Sequence, residues 1–332
     1  MASSSKYRGR FAPSPTGPLH FGSLVTAVGS FLDARAQQGQ WLVRMEDLDT
    51  PRCVPGAADD ILRTLECFGL HWDETVLYQS QRNVAYREAL HTLQQSGMAY
   101  PCGCTRREIA DSALHGIEGQ IYPGTCRHGL PPGREARAWR VRTDHLPSPL
   151  VGEGSRVRGM REPSPPSPQP SPNQGERAGN IEFEDALQGR ISQDLEAEIG
   201  DFVVLRADGL FAYQLAVVVD DDFQNISHVV RGADLLTSTA RQIWLQRLLG
   251  YPQPHYMHLP IAVNADGEKL SKQTLAAPVD AANPAPTLLR VLNFLCQNPP
   301  QALESNSVKE ILDWAITHWN PMPLHGVMRQ PC

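Results

Sequence analysis

The chain has 332 residues, of which 41% are hydrophobic, and a formal net charge of −6 with its histidines neutral. This length predicts two or three compact units, and no run of 18 or more apolar residues offers a membrane-spanning helix. The N-terminal stretch lacks the apolar segment of a secretory signal, and seven cysteines do not suit a disulfide scaffold. We therefore expect a reduced, cytoplasmic protein with no membrane partner.

The first elements of the chain predict a strand, a helix and a second strand. Residues 10–12 end a short strand, apolar side chains recur at helical spacing over 24–36, and residues 41–44 (WLVR) form the next strand. Strand–helix–strand order is typical of a βαβ unit. The sequence therefore predicts an α/β fold with a parallel sheet.

Later segments add helices and strands of the same kinds. Further helices are predicted at 57–68, 83–96, 286–297 and 307–318, with another that ends at Gly250. Further strands are predicted at 138–142, 202–206 and 215–221. The last of these, LAVVVDD, is predicted to be buried and to run into acidic residues.

Residues 147–179 differ from the rest of the chain. They hold eight of the 28 prolines and almost no large apolar side chains. Such a composition cannot bury enough surface to offset the entropy lost on ordering. We expect a disordered insertion that acts as a spacer.

Two segments have the chemistry of phosphate binding. The first is GRFAPSPTGPLHFGS, residues 9–23, in which a proline- and glycine-rich turn precedes a helix whose first N–H groups suit phosphate. His20 can donate to a phosphate oxygen, and Gly22 leaves room for a base or ribose. The second is DGEKLSKQ, residues 266–273, which we call the lysine loop. In it, Lys269 and Lys272 can neutralise a leaving pyrophosphate. Taken singly, such segments are more often an ordinary turn and a solvated surface loop.

Taken together, these segments resemble the signatures of class I aminoacyl-tRNA synthetases. PLHFGS (18–23) is similar to the HIGH signature and KLSKQ (269–273) to the KMSKS loop, with Ser23 and Gln273 as departures. RMEDLDTPR (44–52), FAYQLAVVVDD (211–221) and VVRGADLL (229–236) resemble the glutamyl branch. The resemblance implies a Rossmann-like catalytic domain that binds ATP with Mg²⁺. It implies catalytic roles for His20, Lys269 and Lys272, and ATP binding by His20, Gly22, Ser23 and Lys272.

The same resemblance implies a site for L-glutamate. Arginine holds a carboxylate with two parallel hydrogen bonds, and a carboxylate such as Glu46 can hold the ammonium group. The positions that match glutamate-binding residues of the family are Arg10, Phe11, Ala12, Pro13, Ser14, Glu46, Tyr213 and Arg231. Arg10 could instead form a structural ion pair with Asp47 or Asp49, and Tyr213 could be a core aromatic.

Three cysteines indicate a structural zinc site. Cys102, Cys104 and Cys126 supply three thiolates and leave one tetrahedral position open. From ligand chemistry alone His128 would be the fourth ligand, whereas the resemblance implies Tyr122. Three reduced cysteines without a metal are the alternative.

The resemblance divides the chain and suggests a substrate. The expected parts are two catalytic halves at 6–98 and 180–260, the zinc-bearing insert at 99–146, the spacer at 147–179, and the lysine loop with C-terminal helices at 261–332. The 59 residues after KLSKQ leave no room for a helical anticodon-binding domain. This resembles the truncated paralogues that activate glutamate without tRNA and transfer it to queuosine at the wobble position of tRNA(Asp).

Two other functions remain open on the sequence. One is an ordinary glutamyl-tRNA synthetase that acts on tRNA(Glu), which would need tRNA to form the adenylate. The other is a non-catalytic zinc-bearing RNA-binding module, whose activity would survive loss of His20 or Lys272. In each case we expect a monomer.

Overall fold

A computed structural model of the protein describes residues 6–110, 115–117, 119–144, 179–264, 267–269 and 277–332. The predicted spacer, apart from Gly179, lies outside the described residues. So do Lys272 and Gln273 of the lysine loop.

The described residues form strands and helices in alternating groups. The strands are β1 (Arg8–Phe11), β2 (Gln40–Met45), β3 (Leu77–Tyr78), β4 (Ala99–Cys102), β5 (His115–Gly116), β6 (Gly119–Gln120), β7 (Ala138–Val141), β8 (Asn180–Asp185), β9 (Gly189–Asp194), β10 (Phe202–Leu205), β11 (His228–Gly232), β12 (His255–Leu259), β13 (Ile261–Val263) and β14 (Arg329–Pro331). The helices are α1 (Phe21–Ala36), α2 (Ala57–Cys67), α3 (Asn83–Gln95), α4 (Arg106–Ala110), α5 (Leu195–Glu198), α6 (Tyr213–Phe223), α7 (Leu236–Leu249), α8 (Pro284–Phe294) and α9 (Val308–His318).

Parallel strands form the centre of the molecule. β1 pairs with β2 and β2 with β3, all parallel, while β11, β12 and β8 form a second parallel group that β9 extends in antiparallel fashion. A backbone hydrogen bond of 3.0 Å from Ser227 to the carbonyl of Arg8 brings the two groups edge to edge. The predicted α/β fold with a parallel sheet is confirmed.

Helices cover both faces of these strands. α1, α8 and α9 share one apolar core with Trp41, Val43 and Leu259, whereas α3, α6 and α7 share another with Leu42 and Tyr256. Successive residues of β2 and β12 therefore face opposite cores, as the period of a strand requires. β4, β7 and β10 form a separate antiparallel sheet that leads to the cysteine-bearing insert.

Helix α1 lies close against the sheet. A Cβ atom placed on Gly29 would come within 2.5 Å of Leu259 Cδ1, so a side chain at this position would require the Leu259 side chain to move. The close approach holds the middle of α1 against Leu259, and the helix also packs along β11.

One predicted element is wrong. Residues 215–221 form the middle of helix α6, not a buried strand. All seven side chains from Leu215 to Asp221 are buried, because α6 lies between the sheet and the helices α3 and α7. An apolar run buried on every side has neither helical nor strand periodicity, so the pattern could not distinguish the two.

The C-terminal helices pack on α1. The indole Nε1 of Trp319 donates to Asp33 of α1 at 3.0 Å, and the rings of Phe21 and Phe294 meet edge to face at 5.6 Å. β14 then pairs in parallel with β13, the strand that precedes the lysine loop. The helices predicted at 286–297 and 307–318 are confirmed as α8 and α9.

In the part of the chain that the structure describes, every helix is too short or too polar to cross a lipid bilayer.

Candidate active site

A cavity of about 1030 Å³ opens at the carboxyl ends of the parallel strands. Its walls are the segments that follow β1, β2, β11 and β12, together with the first turn of α1. This edge of an open α/β sheet is where such folds bind ligands. The residues predicted for ATP and glutamate that line the cavity are Arg10, Phe11, Ala12, Pro13, Ser14, His20, Gly22, Ser23, Glu46, Tyr213, Arg231 and Lys269.

Arg10 is held by an aspartate that the sequence did not suggest. Its Nε and Nη2 atoms donate to the two carboxylate oxygens of Asp221 at 3.1 and 3.3 Å. The alternative partners are engaged elsewhere: Asp47 binds Ser80, and Asp49 pairs with Arg206. Asp221 lies in the last turn of α6, so the helix that was predicted as a strand anchors an arginine of the cavity.

Arg44 was missed by the sequence reasoning. Its side chain is fully buried, pairs with Asp221 at 2.8 Å, and lies 3.7 Å from Glu46. Its Nη1 also donates to Gln224 at 2.9 Å, whereas its Nε and Nη2 have no hydrogen-bond partner among the residues that the structure describes. A charged residue within the otherwise apolar strand WLVRM was the available signal.

Glu46 sits at the edge of this buried charge cluster. Its backbone N–H donates to Pro13 at 2.9 Å, which joins the segments that follow β1 and β2. Burial raises the pKa of Glu46 to about 7, although the neighbouring Arg44 and Arg10 act to lower it. A cation bound in the cavity next to this carboxylate would therefore stabilise its charged form.

Arg231 lies on the other side of the cavity and is also buried. Its Nη1 is 3.4 Å from the hydroxyl of Tyr213, a long contact, and its Nη2 donates to Thr239 at 2.7 Å. Its Nε donates to His258 at 3.0 Å. Burial raises the pKa of Tyr213, so its hydroxyl stays protonated.

His20 closes the N-terminus of α1. Its Nδ1 accepts from the backbone N–H of Ser23 at 3.3 Å, and its Nε2 is 2.9 Å from the Ser23 hydroxyl. The N–H of Ser23, one of the first N–H groups of α1, is therefore already bonded to the His20 ring. The ring remains at the cavity wall, beside Gly22 and Ser23.

The described chain up to Lys269 lines the cavity, and the described chain from residue 277 onward contacts the cavity wall at Leu19 and His20. Lys269 lines the cavity and pairs with Asp234 at 2.5 Å. Beyond the loop, Pro278 forms a bridge with His20, and the N–H of Val279 donates to Leu19 at 3.0 Å. The two segments that resemble the family signatures are thus brought together, about 250 residues apart in sequence.

The three cysteines also come together. The sulfur atoms of Cys102, Cys104 and Cys126 lie within 4.8 Å of one another. The hydroxyl of Tyr122 is 3.4 Å from the Cys102 sulfur and 3.5 Å from that of Cys104, whereas His128 is exposed and outside the group. The guanidinium of Arg140 lies 3.9 Å from the centre of the Tyr122 ring. Three soft thiols and one oxygen fit a tetrahedral metal such as zinc.

Comparison with known proteins gives the cavity a family. The sequence matches a family model described as tRNA synthetases class I (E and Q), catalytic domain, over residues 6–124 and 174–286. A glutamyl-Q tRNA(Asp) synthetase from Dechloromonas aromatica (strain RCB) is 58% identical over 317 residues, which cover 95% of this chain and 94% of that protein. One from Aromatoleum aromaticum (strain DSM 19018 / LMG 30748 / EbN1) is 57% identical over 314 residues, which cover 95% and 89%.

A solved structure agrees on the fold. The glutamate-tRNA synthetase from Elizabethkingia anophelis matches with a TM-score of 0.71 at 23% identity, covering 99% of this chain and 68% of that chain. The sequence-based resemblance to the glutamyl branch is confirmed. The chain therefore belongs to the class I tRNA synthetases, a family of ligases, and within it to the group of glutamyl-Q tRNA(Asp) synthetases.

Proposed function

We propose that this protein activates L-glutamate with ATP, without needing tRNA, and transfers the glutamyl group to queuosine at the wobble position of tRNA(Asp). One observation carries the proposal: a single cavity is lined by two buried arginines, the largely buried carboxylate of Glu46, the histidine turn that resembles one family signature, and Lys269 of the segment that resembles the other. The names of the relatives suggest the tRNA substrate, and the residues of the cavity support binding of the amino acid and the nucleotide.

The amino acid would lie between Arg10 and Arg231. Arg10 uses Nε and Nη2 on Asp221, so Nη1 is left to face a ligand, and the 3.4 Å contact of Arg231 with Tyr213 is weak enough to yield to a carboxylate. Glu46 would hold the ammonium group. The hydroxyls of Tyr213 and Ser14 would donate to carboxylate oxygens, with Phe11, Ala12 and Pro13 as the wall.

This arrangement would select a dicarboxylic amino acid. A neutral analogue would leave the cavity-facing guanidinium groups without the ligand's anion, because Arg10 and Arg44 already share the carboxylate of Asp221 and Glu46 lies 3.7 Å from Arg44. A site built around such a charge rejects the analogue that lacks it by roughly 10⁴-fold. We therefore expect glutamine to be a very poor substrate.

ATP would enter as its Mg²⁺ complex beside the first turn of α1. His20, Gly22 and Ser23 would contact the nucleotide, and Lys269 and Lys272 would meet the phosphates. An oxygen of the glutamate α-carboxylate attacks the α-phosphorus while the bond to pyrophosphate breaks. The carboxylate is already a nucleophile, so the protein contributes positioning and charge stabilisation rather than a base.

We further propose that Cys102, Cys104, Tyr122 and Cys126 hold one structural zinc ion. The support is the donor set and its closeness, with a hydroxyl 3.4–3.5 Å from two of the sulfurs. The ion would cross-link the start and end of the insert and so fix its shape. His128 is exposed and is not part of our ligand set.

The test is a transfer assay with purified protein, Mg²⁺–ATP and labelled glutamate. Queuosine-containing tRNA(Asp), the same tRNA without queuosine, and tRNA(Glu) are supplied in turn, and pyrophosphate exchange is measured with no RNA. We expect exchange without RNA and labelling of the queuosine-containing tRNA(Asp) alone. Labelling of tRNA(Glu), or exchange only when tRNA is present, would overturn the proposal. Gel filtration tests the expected monomer.

A further inference from the structure

Behind the cavity, a line of buried polar side chains leads away from Arg231. The Nε of Arg231 donates to Nε2 of His258 at 3.0 Å, and Nδ1 of His258 lies 2.6 Å from a carboxylate oxygen of Asp185. The side chains of His258 and Asp185 are both 0% exposed, and neither lines the cavity. His258 contacts Arg231 on the side away from the cavity, and Asp185 contacts His258 in turn.

The sheet register places these residues in contact. Arg231 and His258 are direct partners in the parallel pair β11–β12, so their side chains leave the sheet on the same face. Asp185 ends the next strand, β8. Its other carboxylate oxygen accepts from the backbone N–H groups of Leu187, Gln188 and His258 at 2.9–3.2 Å.

Hydrogen-bond chemistry fixes the proton on His258. The Nε–H of arginine can only donate, so Nε2 of His258 must accept, and the ring proton must be on Nδ1, where it donates to Asp185. Burial lowers the pKa of His258 to about 4, which agrees with a neutral ring. The hydroxyl of Thr239 accepts from Nη2 of Arg231 at 2.7 Å. Two of the three guanidinium nitrogens are thus fixed from behind.

We propose that Asp185 and His258 are positioning residues for glutamate activation: Asp185 sets the tautomer of His258, and His258 sets the orientation of the Arg231 guanidinium toward the amino acid. The inference rests on the proposed role of Arg231 in glutamate binding. It assigns the two residues to amino-acid binding and not to ATP.

The decisive variant is Asp185→Asn. An asparagine oxygen can still accept from the backbone N–H groups, but its amide would donate toward Nδ1 of His258. The ring proton then moves to Nε2 and faces the Nε–H of Arg231, so two donors oppose each other. We expect KM for glutamate to rise by roughly 10- to 100-fold, the cost of losing a hydrogen bond to a buried charged group, with KM for ATP within about twofold of the parent.

A matched pair at position 258 tests the same link without touching Asp185. The amide of glutamine in His258→Gln reaches about as far as Nε2 and can accept from Arg231, whereas that of asparagine in His258→Asn reaches only as far as Nδ1. We expect His258→Gln to recover most of the glutamate affinity that His258→Asn loses. A merely structural role for the ring would not give this order.

Pyrophosphate exchange gives KM for each substrate, thermal unfolding confirms that each variant is folded, and nitrogen-15 NMR of the histidine ring reports the tautomer. Arg231→Lys serves as the reference. If Arg231→Lys weakens glutamate binding but folded Asp185→Asn and His258→Asn do not, the positioning role is overturned and the proposed function stands. If Arg231→Lys leaves KM for glutamate unchanged, Arg231 does not bind glutamate, and the positioning role of Asp185 and His258 is overturned as well. If Asp185→Asn fails to fold, the pair at position 258 decides.

Discussion

At the scale of single residues, the ionisation of Glu46 makes glutamate binding depend on pH. Burial raises the pKa of Glu46 to about 7, and the proposed ammonium contact needs the charged form. Below pH 7 the carboxylate of the free enzyme becomes neutral. We expect kcat/KM for glutamate to fall about tenfold per pH unit well below 7, since this ratio reports the ionisation of the free enzyme.

Glu46→Gln provides the control for this pH dependence. It should show a lower kcat/KM for glutamate and no acid limb near pH 7, because the amide does not titrate. Pyrophosphate exchange from pH 5.5 to 8 measures both proteins, and their ratio cancels pH effects on Mg²⁺–ATP. Parallel profiles for the two proteins would contradict the assignment of Glu46.

Lys272 allows a test of the nucleotide half of the cavity. Lys272→Ala should slow glutamyl-adenylate formation by roughly 10²-fold or more, the usual effect of removing one charge-stabilising group. Lys309→Ala is the matched control, because Lys309 is an exposed lysine on α9 that pairs with Asp313. Single-turnover adenylate formation compares the two, and equal rates would show that Lys272 does not stabilise the leaving pyrophosphate.

The sequence pointed to the residues that line the cavity more readily than to the residues behind them. Arg10, Glu46 and Arg231 belong to continuous motifs, so a local pattern could reveal them. Their partners could not be found in this way, because Asp221 is 211 residues from Arg10 and His258 is 27 from Arg231. A polar or charged residue inside a buried strand (Arg44 in WLVRM, His258 in HYMHL) was the available hint of a buried polar network.

At the scale of elements, substitutions in the cysteine insert test the proposed zinc site and its ligands. Cys104→Ser should lose bound zinc, Tyr122→Phe should weaken zinc retention, and His128→Ala should keep one zinc per chain, because His128 lies outside the sulfur cluster. Metal analysis after dialysis against a mild chelator measures this. Zinc loss in His128→Ala with retention in Tyr122→Phe would reverse our choice of the fourth ligand.

Helix α6 shows where element prediction reached its limit. Its valines favour a strand by intrinsic propensity, but burial between the sheet and two helices outweighs a preference of less than about 1 kcal/mol per residue. The elements with one exposed face, such as α2, α3 and α9, were placed to within a few residues. Their alternation of apolar and polar side chains carried the information that α6 lacks.

At the scale of the whole molecule, the spacer should be dispensable for activation. A Cβ atom on Gly179 would lie 2.9 Å from the carbonyl oxygen of Thr143, so the described residues on the two sides of the spacer are neighbours. Deleting 147–178 should therefore leave adenylate formation within about threefold of the parent, since closing a loop depends only weakly on its length. The deletion stops at residue 178 so that a glycine stays at position 179, because any residue with a side chain there would clash with the carbonyl oxygen of Thr143.

Pyrophosphate exchange and thermal unfolding of the deletion variant check this expectation. An inactive but folded variant would show that residues 147–178 contribute to the reaction. Replacing the same residues with a glycine-serine linker of equal length would then separate the need for length from the need for sequence.

The overall architecture followed from the order of elements more than from any single motif. A strand–helix–strand start already required a parallel sheet with a crossover helix, and parallel strands bring their carboxyl ends to one edge. The two phosphate-binding segments could therefore be expected at a common edge. How the chain after the lysine loop returns to His20 could not be foreseen, because a single backbone bridge at Pro278 leaves no pattern in the sequence.

The pairing of β14 with β13 has a practical consequence for anyone who expresses this protein. Residues 329–331 lie alongside 261–263, and Val263 bridges to Lys269, so a purification tag fused after Cys332 would emerge next to the base of the loop that carries the lysines. A tag fused to the N-terminus would instead join the chain at the Arg8 end of β1, whereas the cavity lies at the Phe11 end. Kinetic constants are therefore best measured on N-terminally tagged or tag-free protein.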